Sequence, residues 1–371
     1  MRAMILAAGY GTRLWPLTID RAKPALPFMG RPLVGYVAEY LARHGCREIV
    51  VNLHHRPESV RAALGDGSRF GVRLTYVEEP TILGTSGALD NAREFFEDDT
   101  FIVINGKLAT DIDLNAALRT HRETRALATL VLRANAARER YSVVDVQDGL
   151  VRGFGAYPLA SDKAGDASRV SPTGKPSDNQ RALNGDERSR GYGDPVEDTD
   201  EENSSRESHV ASAPLMFTGI QILEPRIFDY IPRGVFSHST VNVYPRAIEC
   251  GETIAAHVAA GYWYELSTMR RYLDTSVALM HAEGRSVELG EGARIDVGAD
   301  VSDAVLWEDA SVEAGARVRG AILGARVRVR SGEVFEECAI VRAELIASSA
   351  RPSKALEGEL RGDNFVVKLS R

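Results

Sequence analysis

Short apolar runs alternate with amphipathic stretches through the first hundred residues. Ala3–Ala8 (AMILAA) is a continuous apolar run stopped by Gly9, the pattern of a strand covered on both faces. Arg47–Leu53, Val72–Val77 and Thr100–Ile104 repeat that pattern, while Val34–His44 and Ser86–Phe96 carry apolar residues at helical spacing. Strands alternating with helices of this length predict an α/β unit with a mostly parallel sheet. Ligands of such sheets sit beyond the carboxyl ends of the strands. Gly9–Arg13 and Asn105–Asp111 each follow a predicted strand, so both are expected to face one crevice.

The pattern changes twice further on. Residues 161–213 are rich in Ser, Asp, Glu, Arg, Gly and Asn and poor in large apolar residues, with an acidic run at Asp194–Glu202. A segment that buries so little apolar surface does not offset its ordering entropy, and it reads as an insertion in a surface loop. After a helical stretch at Met269–His281, one tetrad recurs at Gly292–Ile295, Gly298–Val301, Gly315–Val318 and Gly324–Val327, with an imperfect copy at Asp309–Val312. Ile295 and Val301, and again Val312 and Val318, lie six residues apart. Hexapeptide spacing with one apolar residue per step predicts a parallel β-helix whose aliphatic residues stack inward. Acyltransferases built on such repeats use a basic histidine, and none lies between Gly284 and Arg371, so a structural or oligomerising role is expected for this part. The boundaries that follow are a first domain at 1–280 and a second at 285–371.

Composition narrows the partners. The chain has 371 residues, and its net charge of −7 argues against general nucleic-acid binding. Cys46, Cys250 and Cys338 match no metal or disulfide spacing. The first apolar run is too short for a signal peptide and no stretch is long enough to span a bilayer, so a cytoplasmic protein is expected.

The chemistry concentrates in Leu6–Leu33 (LAAGYGTRLWPLTIDRAKPALPFMGRPL). Gly9 and Gly11 allow backbone amides to approach an anion closely. Arg13 offers a rigid fork of donors to phosphate oxygens, and Lys23 a mobile point charge. Leu14 stands where a dinucleotide fingerprint needs glycine, and no GK[ST] follows, so Rossmann dinucleotide and P-loop chemistry are both excluded.

The whole string, with GTRL, PLT and KP in order, resembles the signature of the sugar-phosphate nucleotidylyltransferases, also called sugar-nucleotide pyrophosphorylases. Glu78–Leu89 (EEPTILGTSGAL), Asn105-Gly106 with Thr110–Asp113, Phe217–Gln221, Tyr244-Pro245 and Gly261–Trp263 match the same family in order. The resemblance implies a Rossmann-like nucleotidyltransferase domain followed by a left-handed parallel β-helix, closest in type to mannose-1-phosphate guanylyltransferase-like proteins. It implies attack of a sugar-1-phosphate oxygen on the α-phosphorus of a nucleoside triphosphate, GTP with mannose 1-phosphate or a similar pair, with pyrophosphate leaving. Carried over residue by residue, Arg13 and Lys23 would be catalytic. Leu6, Ala7, Ala8, Gly9, Gly11, Thr12, Glu79, Gly84, Thr85 and Ser86 would hold the nucleotide. Asn105, Gly106, Lys107, Asp111, Thr218 and Gly219 would lie on the sugar-phosphate side. A homo-oligomer or a complex with a paralogue is implied as well.

Four positions depart from the family, one of them Ser267, which replaces a glycine. Lys107 stands where the first Mg²⁺ aspartate follows NG, and Glu265 stands for the second aspartate. Ala156-Tyr157-Pro158 aligns with EKP, which removes the lysine that grips the sugar phosphate. An ammonium does not ligate Mg²⁺ and repels it. Two readings stay open: a transferase in which Lys107 supplies part of the metal's charge or Asp111 and Glu265 hold Mg²⁺ in an altered site, and a nucleotide- or nucleotide-sugar-binding homologue that regulates or scaffolds an active paralogue.

Overall fold

The computed structural model describes residues 1–96, 99–137, 139, 141–156, 213–347 and 350–369. Tyr157 and Pro158, and the segment read as an insertion apart from Ala213, lie outside the described residues.

Nine strands form the central sheet: β1 (Arg2–Leu6), β2 (Glu48–Leu53), β3 (Arg73–Glu78), β4 (Phe101–Asn105), β6 (Ala128–Ala134), β7 (Ser142–Gln147), β8 (Leu150–Ala156), β9 (Leu215–Leu223) and β10 (Ile254–Val258). Their order is β3-β2-β1-β4-β9-β6-β10-β8-β7. The first four are parallel, as the βα alternation predicts. Beyond them the sheet turns mixed, because β9 runs antiparallel to both β4 and β6. The expected mostly parallel sheet therefore describes only one half. The apolar run of β1 is buried on both faces: Ala3 and Ile5 pack in one cluster with Ile49, Val51 and Ile104, and Met4 in another with Val50 and Val103.

Helices cover the sheet. They include α1 (Leu33–Arg43), α2 (Pro57–Leu64), α3 (Gly84–Asn91) and α4 (Leu114–Thr124). The Asp113 carboxylate accepts from the Asn115 amide and fixes where α4 begins. The helix expected over Ser86–Phe96 ends at Asn91 and gives way to a tighter turn at Arg93–Phe95. A separate ribbon pairs β5 (Leu108–Thr110) antiparallel with β11 (Trp263–Glu265) and stands over the carboxyl end of β4.

In the tail the strands pair in parallel at a constant offset. Ala304 pairs with Ala321 and Ala321 with Cys338, and Ser311 pairs with Arg328, 17 residues apart each time. The buried residues Leu306, Val312, Val318, Leu323, Val329, Phe335 and Ile340 share one cluster, at steps of six, six and five residues. The six-residue spacing seen at Ile295–Val301 is thus two steps out of three in a 17-residue turn. Corners at Gly298, Gly315 and Gly332, at Gly292, Asp309 and Arg326, and at Asp303, Gly320 and Glu337 all have positive φ in the same register.

The tail is not a loose appendage. The helix Met269–Ala282, capped by the Thr268 hydroxyl accepting from the Arg271 amide, packs against both the tail strands and the β5–β11 ribbon. Leu14, Trp15, Leu17, Leu26 and Phe28 of the glycine-loop region share a core cluster with Tyr272, Trp307, Ile322, Ala339 and Phe365. The Arg21 guanidinium lies 5.1 Å from the Trp307 ring centroid and is paired with Glu308. The Trp307 indole N–H donates to the Tyr272 hydroxyl at 3.1 Å, and that hydroxyl donates to the Pro27 carbonyl.

Candidate active site

The chain leaves β1 at Leu6 and turns over the sheet edge. The Ala7 amide donates to the Asn52 side-chain oxygen at 2.7 Å, and the Gly106 amide donates to the Leu6 carbonyl at 2.9 Å. The Ala7 amide is therefore already used, and the amides left for an anion come later, towards the exposed Gly9 and Tyr10. Gly11 adopts φ +67° and heads the 3₁₀ turn Thr12–Leu14. A Cβ at Gly11 would stand 3.0 Å from the Lys23 Cβ, so glycine is required for both conformation and space. Lys23 runs beneath this loop, its ammonium 4.0 Å from where a Cβ on Gly9 would lie, and Arg13 is exposed at the loop's rim.

Burial pushes the Lys23 ammonium down to about 8, helped by the nearby positive charges of Lys107 and Arg13 and opposed by Glu265. In the free protein the Lys23 charge is then present below pH 8 and lost above it. A bound polyphosphate draws the proton back. Nucleoside triphosphate affinity is expected to fall as pH rises through about 8, with proton uptake on binding above that pH. Calorimetry in buffers of different ionisation enthalpy measures that uptake, and binding without it above pH 8 would contradict the Lys23 contact.

Glu79 has another task. Its buried carboxylate accepts from the Asn52 amide at 2.6 Å and from the Leu83 backbone at 2.9 Å, holding the Glu78–Leu89 loop against β2. Ser86 is also buried, its hydroxyl donating to Ser237 at 2.8 Å. Of this loop, Thr85 reaches the crevice, where its hydroxyl accepts from the Ser239 amide at 2.9 Å.

The crevice beside β4 is lined by Leu6, Thr85, Asn105, Lys107, Thr218, Gly219 and Glu265 among the candidates. Leu108, Tyr141, Ser142, Phe217, Gln221, His238, Ser239, Thr240 and Trp263 complete it. Trp263 and Gln221 lie in strings that the sequence singles out. His238–Thr240 belongs to a run of small polar residues with no motif to mark it. Thr218 and Gly219 form a bulge where the β9–β6 register shifts, which turns them towards the crevice. The Trp263 indole N–H donates to the Thr218 carbonyl at 3.0 Å. Gly219 has φ +83°, and a Cβ there would overlap the Asn105 side chain. Gly219→Ala is expected to displace Asn105 and weaken sugar-phosphate binding by about tenfold, an energy near 1.4 kcal/mol. An unchanged KM for sugar phosphate would contradict it.

Lys107 and Glu265 meet across the β5–β11 ribbon in an ion pair, with the Leu266 amide donating to the Lys107 carbonyl at 2.8 Å. The other Glu265 oxygen lies 3.7 Å from Arg271. Burial alone would raise the Glu265 carboxyl, but the charges of Lys107 and Arg271 outweigh it and hold the group below its ordinary value. Asp111 is absent from the crevice lining. Its carboxylate accepts from the Tyr262 amide at 2.6 Å, at the far end of the ribbon from Glu265, which pairs with Leu108. The structure thus does not bring Asp111 and Glu265 together as the altered Mg²⁺ site requires. Among the described residues no group of three or more His, Cys, Asp or Glu is arranged to hold a metal ion. A divalent cation about 4 Å from the Lys107 ammonium would meet a repulsion of about 8 kcal/mol at an effective dielectric constant near 20, which cancels the attraction of the single Glu265 carboxylate at the same distance. The residues present do not fit Mg²⁺ held in the family's manner.

The comparisons agree with the layout. The model of the family described as Nucleotidyl transferase matches residues 2–281. A UTP–glucose-1-phosphate uridylyltransferase of Synechocystis sp. is 29% identical over 321 residues, covering 83% of this chain and 71% of the relative. A mannose-1-phosphate guanylyltransferase of Mycobacterium tuberculosis is 28% identical over 347 residues, covering 90% and 82%. An N-acetylmuramate alpha-1-phosphate uridylyltransferase of Neisseria meningitidis is 43% identical over 121 residues, 32% of this chain and 52% of the relative. Among solved structures, HddC from Yersinia pseudotuberculosis superposes with a TM-score of 0.54 at 19% identity, covering 75% of this chain and 99% of that one, a likeness of fold. Among the described residues no helix is long and apolar enough to cross a membrane.

Proposed function

The chain belongs to the nucleotidyl transferase family, and from that premise we propose that it joins a nucleoside triphosphate to a sugar 1-phosphate, giving a nucleotide-diphospho-sugar and pyrophosphate. The observation that carries this reading is the Gly9–Gly11 loop packed over Lys23, with Lys107 and Glu265 of the crevice lining near enough to act on the Lys23 charge. Negative charge spreads over the transferring group, so catalysis rests on positioning and electrostatics. Arg13, Lys23 and the amides around Gly9–Gly11 would hold the triphosphate and the departing pyrophosphate. Asn105, Thr218 and Gly219 would orient the sugar phosphate, and the aromatic walls Trp263 and Tyr141 would flank the sugar.

GTP with mannose 1-phosphate is the pair proposed first, on the breadth of the match to the mycobacterial guanylyltransferase. The uridylyltransferase relatives make UTP the main competitor. Metal dependence, usual in this family, is the point on which this chain is expected to differ. The division at 280–285 and the left-handed sense of the tail's coil are part of the proposal, supported by the extent of the family match and the 17-residue register. So are a cytoplasmic location and self-association through the coil.

The Lys107–Glu265 pair favours a second reading, a binding homologue without turnover. A screen of the four common ribonucleoside triphosphates and dTTP against several sugar 1-phosphates, with and without Mg²⁺, separates the two. Pyrophosphate release that needs both substrates supports the transferase, and binding without release under every condition supports the second reading.

A further inference from the structure

Resting on the triphosphate-binding reading above, we propose that the Lys107 ammonium does the charge-neutralising work of a divalent cation, so that this crevice binds nucleoside triphosphates without a metal. Lys107 lies two residues beyond the end of β4 and lines the crevice, with its side chain 28% exposed and so within reach of a ligand. The ribbon that carries it is held by the β5–β11 pairing and by the Leu266 amide on its own carbonyl. Its ammonium is therefore presented from a fixed backbone rather than from a mobile loop.

The partner carboxylate does not cancel this charge once a ligand arrives. Glu265 has a second cation, Arg271, at 3.7 Å on its other oxygen. When phosphate oxygens take the Lys107 ammonium, Arg271, which is also paired with Glu139, stays beside Glu265 and keeps that carboxylate partly compensated. Arg13 and Lys23 add their charges from the loop side, with Arg13 close enough to help push the Lys23 ammonium down. Three cations thus face a polyphosphate where the family would use cations and a metal. The aspartate that could have completed a metal site, Asp111, is spent on Tyr262 at the other end of the ribbon.

The test is calorimetric titration of the full-length protein with ATP, GTP, CTP, UTP and dTTP, in EDTA and in excess Mg²⁺. The nucleotide that binds is expected to do so in EDTA at least as tightly as in Mg²⁺. Lys107→Met should weaken binding in EDTA by about tenfold or more, the loss expected for one charge-assisted contact. Lys107→Asp, which sets a second carboxylate beside Glu265, should make binding depend on Mg²⁺. Glu265→Gln, which frees the ammonium, should leave binding in EDTA as tight or tighter, and thermal unfolding of each variant checks that it is folded. Wild-type binding that appears only with Mg²⁺, or Lys107→Met binding like wild type in EDTA, overturns the inference while leaving the transferase reading in place. Binding of none of the five nucleotides in either buffer overturns the triphosphate cradle itself, and this inference falls with it.

Discussion

Lys23→Ala is expected to lower pyrophosphate release by about 100- to 1,000-fold, the usual cost of removing one preorganised group that stabilises developing charge. The size follows from position. The ammonium lies under the glycine loop in a site shielded enough to push its proton affinity down to about 8. Each interaction there is worth more than in open water. The loss should appear in kcat as well as in triphosphate affinity, because the charge that Lys23 meets grows as pyrophosphate departs. A steady-state rate within about tenfold of wild type would remove Lys23 from the chemistry. Arg13→Ala is expected to cost less, since Arg13 sits exposed at the rim, where water and salt screen its charge.

The second large effect is on stability. Trp307→Ala should destabilise the fold by about 3–5 kcal/mol, the range for emptying a buried aromatic site. Trp307 is 2% exposed and lies at the seam where the tail strands meet the glycine-loop region. Its ring carries the Arg21 guanidinium, and its indole N–H holds the Tyr272 hydroxyl that in turn binds Pro27. Arg21 is two residues from Lys23, so the variant should also weaken triphosphate binding. Urea unfolding followed by circular dichroism measures the first effect, and a loss under about 1 kcal/mol would show that the seam does not hold the loop in place. Glu308→Gln removes a partly exposed ion pair and should cost under about 1 kcal/mol.

Much of the architecture is legible in the chain, for identifiable reasons. Ala3–Ala8 announces a strand buried on both faces, and β1 has helices and sheet neighbours covering both sides. The switch from parallel to antiparallel at β9 is not legible, because Leu215–Leu223 is apolar whichever way it runs. The tail shows its six-residue step at Ile295–Val301 and Val312–Val318. The third, five-residue step blurs the period, and only strand pairing reveals 17 residues per turn. Gly11, Arg13 and Lys23 stand in the motif, and the structure adds that Lys23 lies beneath the loop. Glu79 and Ser86 show the limit of motif transfer: both are buried and hydrogen-bonded to protein, which makes them supports for the Thr85 loop. His238 carries no motif, and it and Asn52 each matter through a partner distant in sequence, Thr85 for one and Ala7 for the other. The Lys107–Glu265 pair was half visible, as two departures from a pattern. That they meet needs the β5–β11 ribbon.

The most direct test of the account is where a nucleotide settles. Crystals of the protein soaked with the triphosphate that binds best should show phosphate oxygens within hydrogen-bond distance of the Lys23 ammonium and of the backbone amides around Gly9–Gly11. Density for the polyphosphate elsewhere, or a crevice that stays free of nucleotide at saturating concentration, would contradict it.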